Sequence, residues 1–410
     1  MGLLAGGPNG RRFRITTPLP ADFRDLYLEA VRDNAFVDQD ASDGEPRVGW
    51  VNVFDVASTT FELNDLLVDR YLAFTLRTDV KKVQGTYLKI ALARREKEVC
   101  EEQGLDKLSK GEREVLKEAL ETALFGRALP SVATTDVCWD IHTGEVTVFS
   151  TSEATLEHVR LLMRDTFGVR IHPERLCDWA ADKIGWKELG ERIEAHLGGR
   201  SSSDDTVVDG HHEGDPMERQ AFGLGSDFLT WLWLRGEASE GIFRVLDARG
   251  AREEALRKRG ADSGEGGQWD DVTESLRQSD LNLWIDSRLK LRELVEDDPS
   301  TTILLGASPA ASPEARRNLN QGKRPVEARI GMKLNDLESH LSLQASPDGL
   351  KVSSIKLPTV VNSGRDEKLL ERAVLLDLLH ITIKQLFQQF FLARTSPDWD
   401  ERVTEWLAEE

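Results

Sequence analysis

The sequence predicts an α+β fold in which antiparallel sheets pack against long helices. Three observations carry that expectation. Tyr71-Leu72-Ala73-Phe74-Thr75-Leu76-Arg77 sets Leu72, Phe74 and Leu76 on one face by strict alternation, the period of a half-buried strand. Val326 to Leu334 alternates without a break, Leu341 and Leu343 continue the pattern, and Pro347-Asp348-Gly349 turns the chain into Leu350–Leu357. From Glu367 to Ala393 runs a long apolar helix that carries Leu375, Leu376, Leu379, Ile383, Leu386, Phe387, Phe390 and Phe391.

In chain order, residues 48–80 read as strands, and Lys81 to Cys100 as a basic helical segment. Ser109 with Glu112 three residues on is a capping box that opens a helix. Val115, Leu116, Ala119, Leu120, Ala123 and Leu124 give that helix a core-facing stripe. Val137 to Phe149 reads as a hairpin turning at Gly144, and Glu153–Phe167 as a helix with Gly168 at its C′ position. Residues 198–220, polar and acidic, read as a linker or long loop. Residues 226–300 read as mainly helical and hold Trp231, Trp233, Trp269 and Trp284, and 306–325 read as a second loop. Four regions follow. They are an N-terminal α+β region (1–175), a variable acidic linker (176–225), a helical tryptophan-rich region (226–305) and C-terminal strands with a closing helix (306–410).

A chain of 410 residues exceeds one ordinary core, so two or three domains are expected. Its composition, 40% hydrophobic and 30% charged, excludes disorder. No apolar run approaches a membrane span, and Met1–Gly7 lacks the pattern of a signal peptide. Cys100, Cys138 and Cys177 are far apart, which suits a reducing cytoplasm and forms no zinc motif. The net charge of −19 argues on its face against nucleic acid, but binding depends on where cations sit.

Two stretches concentrate cations. Lys81, Lys82, Lys89, Arg94, Arg95 and Lys97 stand against the single acid Glu96, and helical spacing sets Lys82, Lys89 and Lys97 on one side. They could track phosphates, or form an ordinary solvated helix face. Lys323, Arg324, Arg329 and Lys333 form the second group, with Arg329 and Lys333 on the strand face opposite Ile330 and Met332. A basic sheet face could lie against a nucleic-acid backbone, and a plain solvent-facing strand would look the same. His211-His212 with Glu213 and Asp215 lacks metal-ligand spacing and reads as a solvated loop. Trp231 and Trp233 read as core, and His380 as a satisfied core histidine. Phosphate-loop, dinucleotide and nucleophile-elbow motifs are missing, Gly223-Leu224-Gly225-Ser226 falling short of the second. No cofactor, metal site or catalytic residue is expected.

The ordered set of motifs resembles the RdgC-type recombination-associated family. Leu108–Pro130, with Leu116-Lys117-Glu118 and Gly126-Arg127-Ala128, looks like that family's central helix and the Arg-Ala that closes it. Val137-Cys138-Trp139-Asp140-Ile141 with Gly144 is similar to its Trp-Ile-Asp…Gly hairpin. Arg160–Arg164 with Gly168, Leu229–Gly236 and Phe243–Asp247 resemble further elements in the same order. The resemblance implies an RdgC-like fold and a head-to-head homodimer closing a ring around double-stranded DNA, with single strands as a further ligand. It implies sequence-independent, non-catalytic binding that restrains a RecA-type recombinase, in the cytoplasm at the nucleoid. The segment Lys81–Lys97 and Arg127 become candidates for the DNA-facing side. Residues 198–220 and 258–320 are longer than the pattern requires. The alternative is an acidic protein-interaction module of the same fold without DNA binding. A metal-dependent nuclease whose carboxylates assemble only in the fold is the third reading.

Overall fold

The computed structural model describes residues 2–38, 45–197, 216–238, 241–246, 278–293, 299–346, 349–358 and 364–408. His211, His212 and Trp269 lie outside them. The N-terminal elements are β1 (Arg11–Arg14), α1 (Phe23–Asp33), β2 (Arg47–Val51), α2 (Leu63–Leu66), β3 (Leu67–Val68), β4 (Tyr71–Lys81), α3 (Gly85–Gln103), α4 (Lys110–Arg127), β5 (Pro130–Asp140), β6 (Glu145–Val148), α5 (Glu153–Phe167) and β7 (His172–Pro173). Then come α6 (Leu176–Ile184), α7 (Trp186–His196), α8 (Pro216–Ala238), β8 (Ile242–Leu246), β9 (Gln278–Glu293), β10 (Thr301–Leu305), α9 (Pro313–Asn320), β11 (Lys323–Leu334), β12 (Leu337–Ser346), β13 (Gly349–Lys356), α10 (Arg365–Arg394) and α11 (Trp399–Ala408). The strands form two antiparallel sheets, so the α+β expectation holds.

The first sheet runs β2-β4-β5-β6-β1-β7, with β3 on β4. Its alternation serves two cores. Phe13, Trp50, Phe74, Val137, Trp139 and Val146 meet Tyr27 and Val31 of α1 and Leu156, Val159 and Met163 of α5. Tyr71, Ala73 and Cys138 turn to the opposite face and join the core built around α10. The second sheet runs β10-β9-β11-β12-β13, with β8 also on β9. α8 lies across β11, β12 and β13, where a Cβ on Gly225 would strike the carbonyl of Gly349. The glycines read as a failed nucleotide motif therefore sit in a helix, and one lets it approach the sheet closely.

α10 is buried on more than one side. It contacts α6 and α8 as well as β8 and β3, which explains a helix apolar all round rather than along one stripe. The hairpin turn at Gly144 (φ 75°) and the left-handed cap at Gly168 (φ 66°) sit where the sequence places them.

Several expectations need correction. The stretch 226–300 is not mainly helical, because β8 and β9 follow α8 and the run Leu281, Leu283, Leu289, Leu291 is strand alternation facing the core. Within 176–225, α6 and α7 replace an uninterrupted linker. Within 306–325, Ser312 caps α9, its hydroxyl accepting from the Ala315 amide and donating to the Pro309 carbonyl, with Pro313 at the first helical position. The capping box at Ser109 is present in both its hydrogen bonds. Yet α4 has no buried residue, and Val115 is 67% exposed. Its stripe packs mainly on α3, because this helical pair projects past the ends of β4 and β5, where Lys81 pairs with Pro130.

Candidate nucleic-acid interface

The second sheet has one face against α8 and one turned to solvent. Antiparallel partners share a face, so the register assembles the outer surface in rows. One row is Lys290, Glu327, Gln344, Lys351. The next carries Arg329, Ser342 and Ser353, and the third Trp284, Gly331, His340 and Lys356. Asn282, Lys333 and Glu338 make the fourth. Arg292 extends the basic surface toward β10. The buried residues Leu289, Ala328, Leu343 and Val352 form the opposite face of the same strands.

Few acids neutralise this surface. Glu327 pairs with Arg288 at 3.0 Å. Asp286 and Glu338 bracket His340, at 3.1 Å from Nδ1 and 3.0 Å from Nε2. Lys290, Arg292, Lys333, Lys351 and Lys356 form no ion pair among the described residues.

The basic residues proposed from sequence separate into different environments. Lys333 is exposed on the outer face, and Arg329 lies beside it, donating to the Ser354 carbonyl at 2.6 Å. Lys323 does not belong to the surface: it is buried and donates to Thr302 Oγ1 at 2.7 Å. Arg324 is tied back to the carbonyls of Leu319 and Lys323. Lys290, Arg292, Lys351 and Lys356 were not singled out by sequence. Their strands are separated by loops, and only pairing brings them together.

The helical pair is the second place. Lys81 ends β4, with Nζ 5.3 Å from the Phe125 ring centroid. Lys82 precedes the start of α3 at Gly85, so it shares no helix face with Lys89 and Lys97; pairing of β4 with β5 claims the backbone up to Lys81. Arg95 binds Glu98 at 2.8 Å, Lys97 lies 3.8 Å from Glu101, and Arg113 pairs with Glu96. Between Gly85 and Arg127 stand nine basic and nine acidic residues. The pair is therefore neutral overall. Lys82, just before it, and Lys89, Arg94, Lys107, Lys110 and Arg127 within it are exposed cations without an ion pair among the described residues.

A third cluster is polar and largely buried. Arg12 donates to Asp377 at 2.8 Å, to Thr147 at 2.9 Å and to Glu145 at 2.5 Å. Tyr71 donates to Asp377 at 2.7 Å, and Arg70 Nε lies 3.0 Å from Asp140. Arg14 and Lys384 share Asp182 at 2.8 Å and 2.7 Å. Burial drives the Asp377 carboxyl upward, but Arg12, Tyr71 and Arg70 outweigh it and hold it below the ordinary carboxylate range. Burial and the charge of Asp377 push Asp140 up instead. Burial lowers His380 to about 4, with the charge of Arg12 adding to the effect, and its Nδ1 lies 2.8 Å from the Leu376 carbonyl. The enclosed cavity of about 10 Å³ has room for one water. That volume leaves no room for a substrate, and these groups join α10 to the first sheet. Among the described residues no group of three or more His, Cys, Asp or Glu is placed to hold a metal ion.

Residues 9–175 match the family model described as "Putative exonuclease, RdgC". Over those residues the chain is similar to the RdgC family. The match covers β1 through β7, the whole first sheet with its α3–α4 projection, and stops where α6 begins. The matched region thus ends before the second sheet and its basic face. A search of the curated proteins found no match. No helix of the described residues is long and apolar enough to cross a membrane.

Proposed function

We propose that this protein binds DNA without regard to sequence and associates with the nucleoid. In that reading it restrains access of a RecA-type recombinase and performs no chemical step on the DNA. The observation that carries the reading is the outer face of the second sheet. In a chain of net charge −19, strand pairing gathers Lys290, Lys333, Lys351 and Lys356 on one open surface. Lysines and arginines spread over a sheet contact phosphates and carry no base code. The similarity of the N-terminal region to the RdgC family supports a recombination-associated role. A ring-shaped homodimer around duplex DNA belongs to the same proposal. Acids elsewhere would then repel DNA from the outside and leave the basic face as the productive approach.

The test is binding of two unrelated duplexes by fluorescence anisotropy across a salt series. Equal affinities that fall steeply with salt support the proposal. No binding at low salt favours a protein-interaction module instead. The words of the family description also raise a nuclease. Shortening of the DNA on adding Mg²⁺ or Mn²⁺ would establish that reading and displace the non-catalytic one.

A further inference from the structure

Trp284 lies on the solvent side of the second sheet, in register with Gly331, which in turn pairs with His340. It is the one tryptophan among the described residues of either sheet that points away from a core: Trp50 and Trp139 are buried in theirs. A Cβ on Gly331 would fall within the Trp284 indole. The glycine therefore gives the ring room to lie over the strand, where it forms a T-shaped pair with His340 at a centroid distance of 6.0 Å and an interplanar angle of 85°. Asp286 and Glu338 hold the imidazole from both sides. Along β11 the cations Arg329 and Lys333 sit two residues to either side of Gly331, roughly 7 Å away, and Lys356 ends the same row.

We infer that Trp284 is a stacking platform for an unpaired nucleobase, so that this face, which neutralises the backbone of a duplex, also holds single-stranded DNA through a contact that a closed duplex cannot make. The inference rests on the DNA-binding proposal and adds the form of DNA. Every base offers a π-face, so an aromatic ring among cations binds single strands without sequence preference. In a duplex the bases are stacked on one another, and the same ring has nothing to stack on. Lys333 and Lys356 are left to neutralise the phosphates on either side.

The experiment compares a dye-labelled oligothymidine with a duplex, by anisotropy at one salt concentration, for the wild type, Trp284→Ala and Trp284→Phe. Trp284→Ala is expected to weaken single-strand binding about tenfold and to change duplex binding less than about twofold. Trp284→Phe should retain most of the affinity. Equal losses on both forms, or no loss on either, overturn the stacking role. If the wild type binds neither form, the DNA proposal itself has failed. Photocrosslinking of an iodouracil-substituted strand to the wild-type protein needs no variant to fold. A crosslinked peptide that contains Trp284 supports the inference, and crosslinks confined to Lys81–Arg127 overturn it.

Discussion

Replacing Arg12 with Met would leave Asp377, Glu145 and Thr147 facing a side chain that donates nothing. The buried carboxylates would then keep Arg70, Tyr71 and Lys384 as their only support. Removing one partner of a buried pair costs about 3–5 kcal/mol, and Arg12→Met is expected to lose that much in denaturant unfolding. A loss under about 1 kcal/mol would show that the joint is not electrostatic. His380 gives a pH prediction of definite sign. Its folded value of about 4 lies below the ordinary 6.5, so the unfolded chain takes up the proton first. Its contribution is complete above pH 6.5 and is lost as pH falls toward 4, about 3 kcal/mol in all. Asp140 and Glu145, both raised by burial, act in the opposite direction at acid pH. The difference between wild type and His380→Gln isolates the histidine. The variant should unfold with a flatter dependence between pH 6.5 and 4, and parallel curves would refute the assignment.

At the scale of elements, the α3–α4 pair is the most separable part of the molecule. Leu92 is its only buried residue, so replacing residues 83–128 by a short turn between β4 and β5 should leave the remaining fold intact. Circular dichroism and thermal melting check this. Collapse of the cooperative transition would mean that the pair supports the core. The same pair marks what was legible in sequence. Ser109–Glu112, the Gly144 turn and the Gly168 cap are local signals, set by backbone needs within a few residues, and each lies where it was read. The stripe Val115–Leu124 was equally clear, but amphipathicity states only that a helix has an apolar face, not how much protein covers it. The strand β9 was missed because tryptophan and leucine suit either element, and its partners β8 and β11 are distant in the chain. Lys323 shows the same limit. Alternation assigned its strand correctly, but Thr302, twenty-one residues away, takes its ammonium.

Over the whole molecule, the candidate site was half legible. Arg329 and Lys333 could be placed on a polar strand face by counting residues, whereas Lys290, Lys351 and Lys356 join them only through sheet register. Net charge hid the feature, since −19 averages a basic face with acids elsewhere. The buried cluster around Arg12 joins β1, β4, β5 and β6 to α10 across more than 300 residues, and no spacing rule reaches that far. On the proposed reading, the outer face of the second sheet, more than the α3–α4 pair, neutralises the DNA backbone. Duplex affinity across a salt series, for Lys290→Glu/Lys333→Glu/Lys356→Glu beside Lys82→Glu/Lys89→Glu, tests it most directly. The sheet variant should lose at least tenfold more affinity on every sequence and show a shallower salt slope, each lost phosphate contact lowering the slope by about 1. A folded sheet variant that binds like the wild type, with the helical-pair variant losing binding, would contradict the claim.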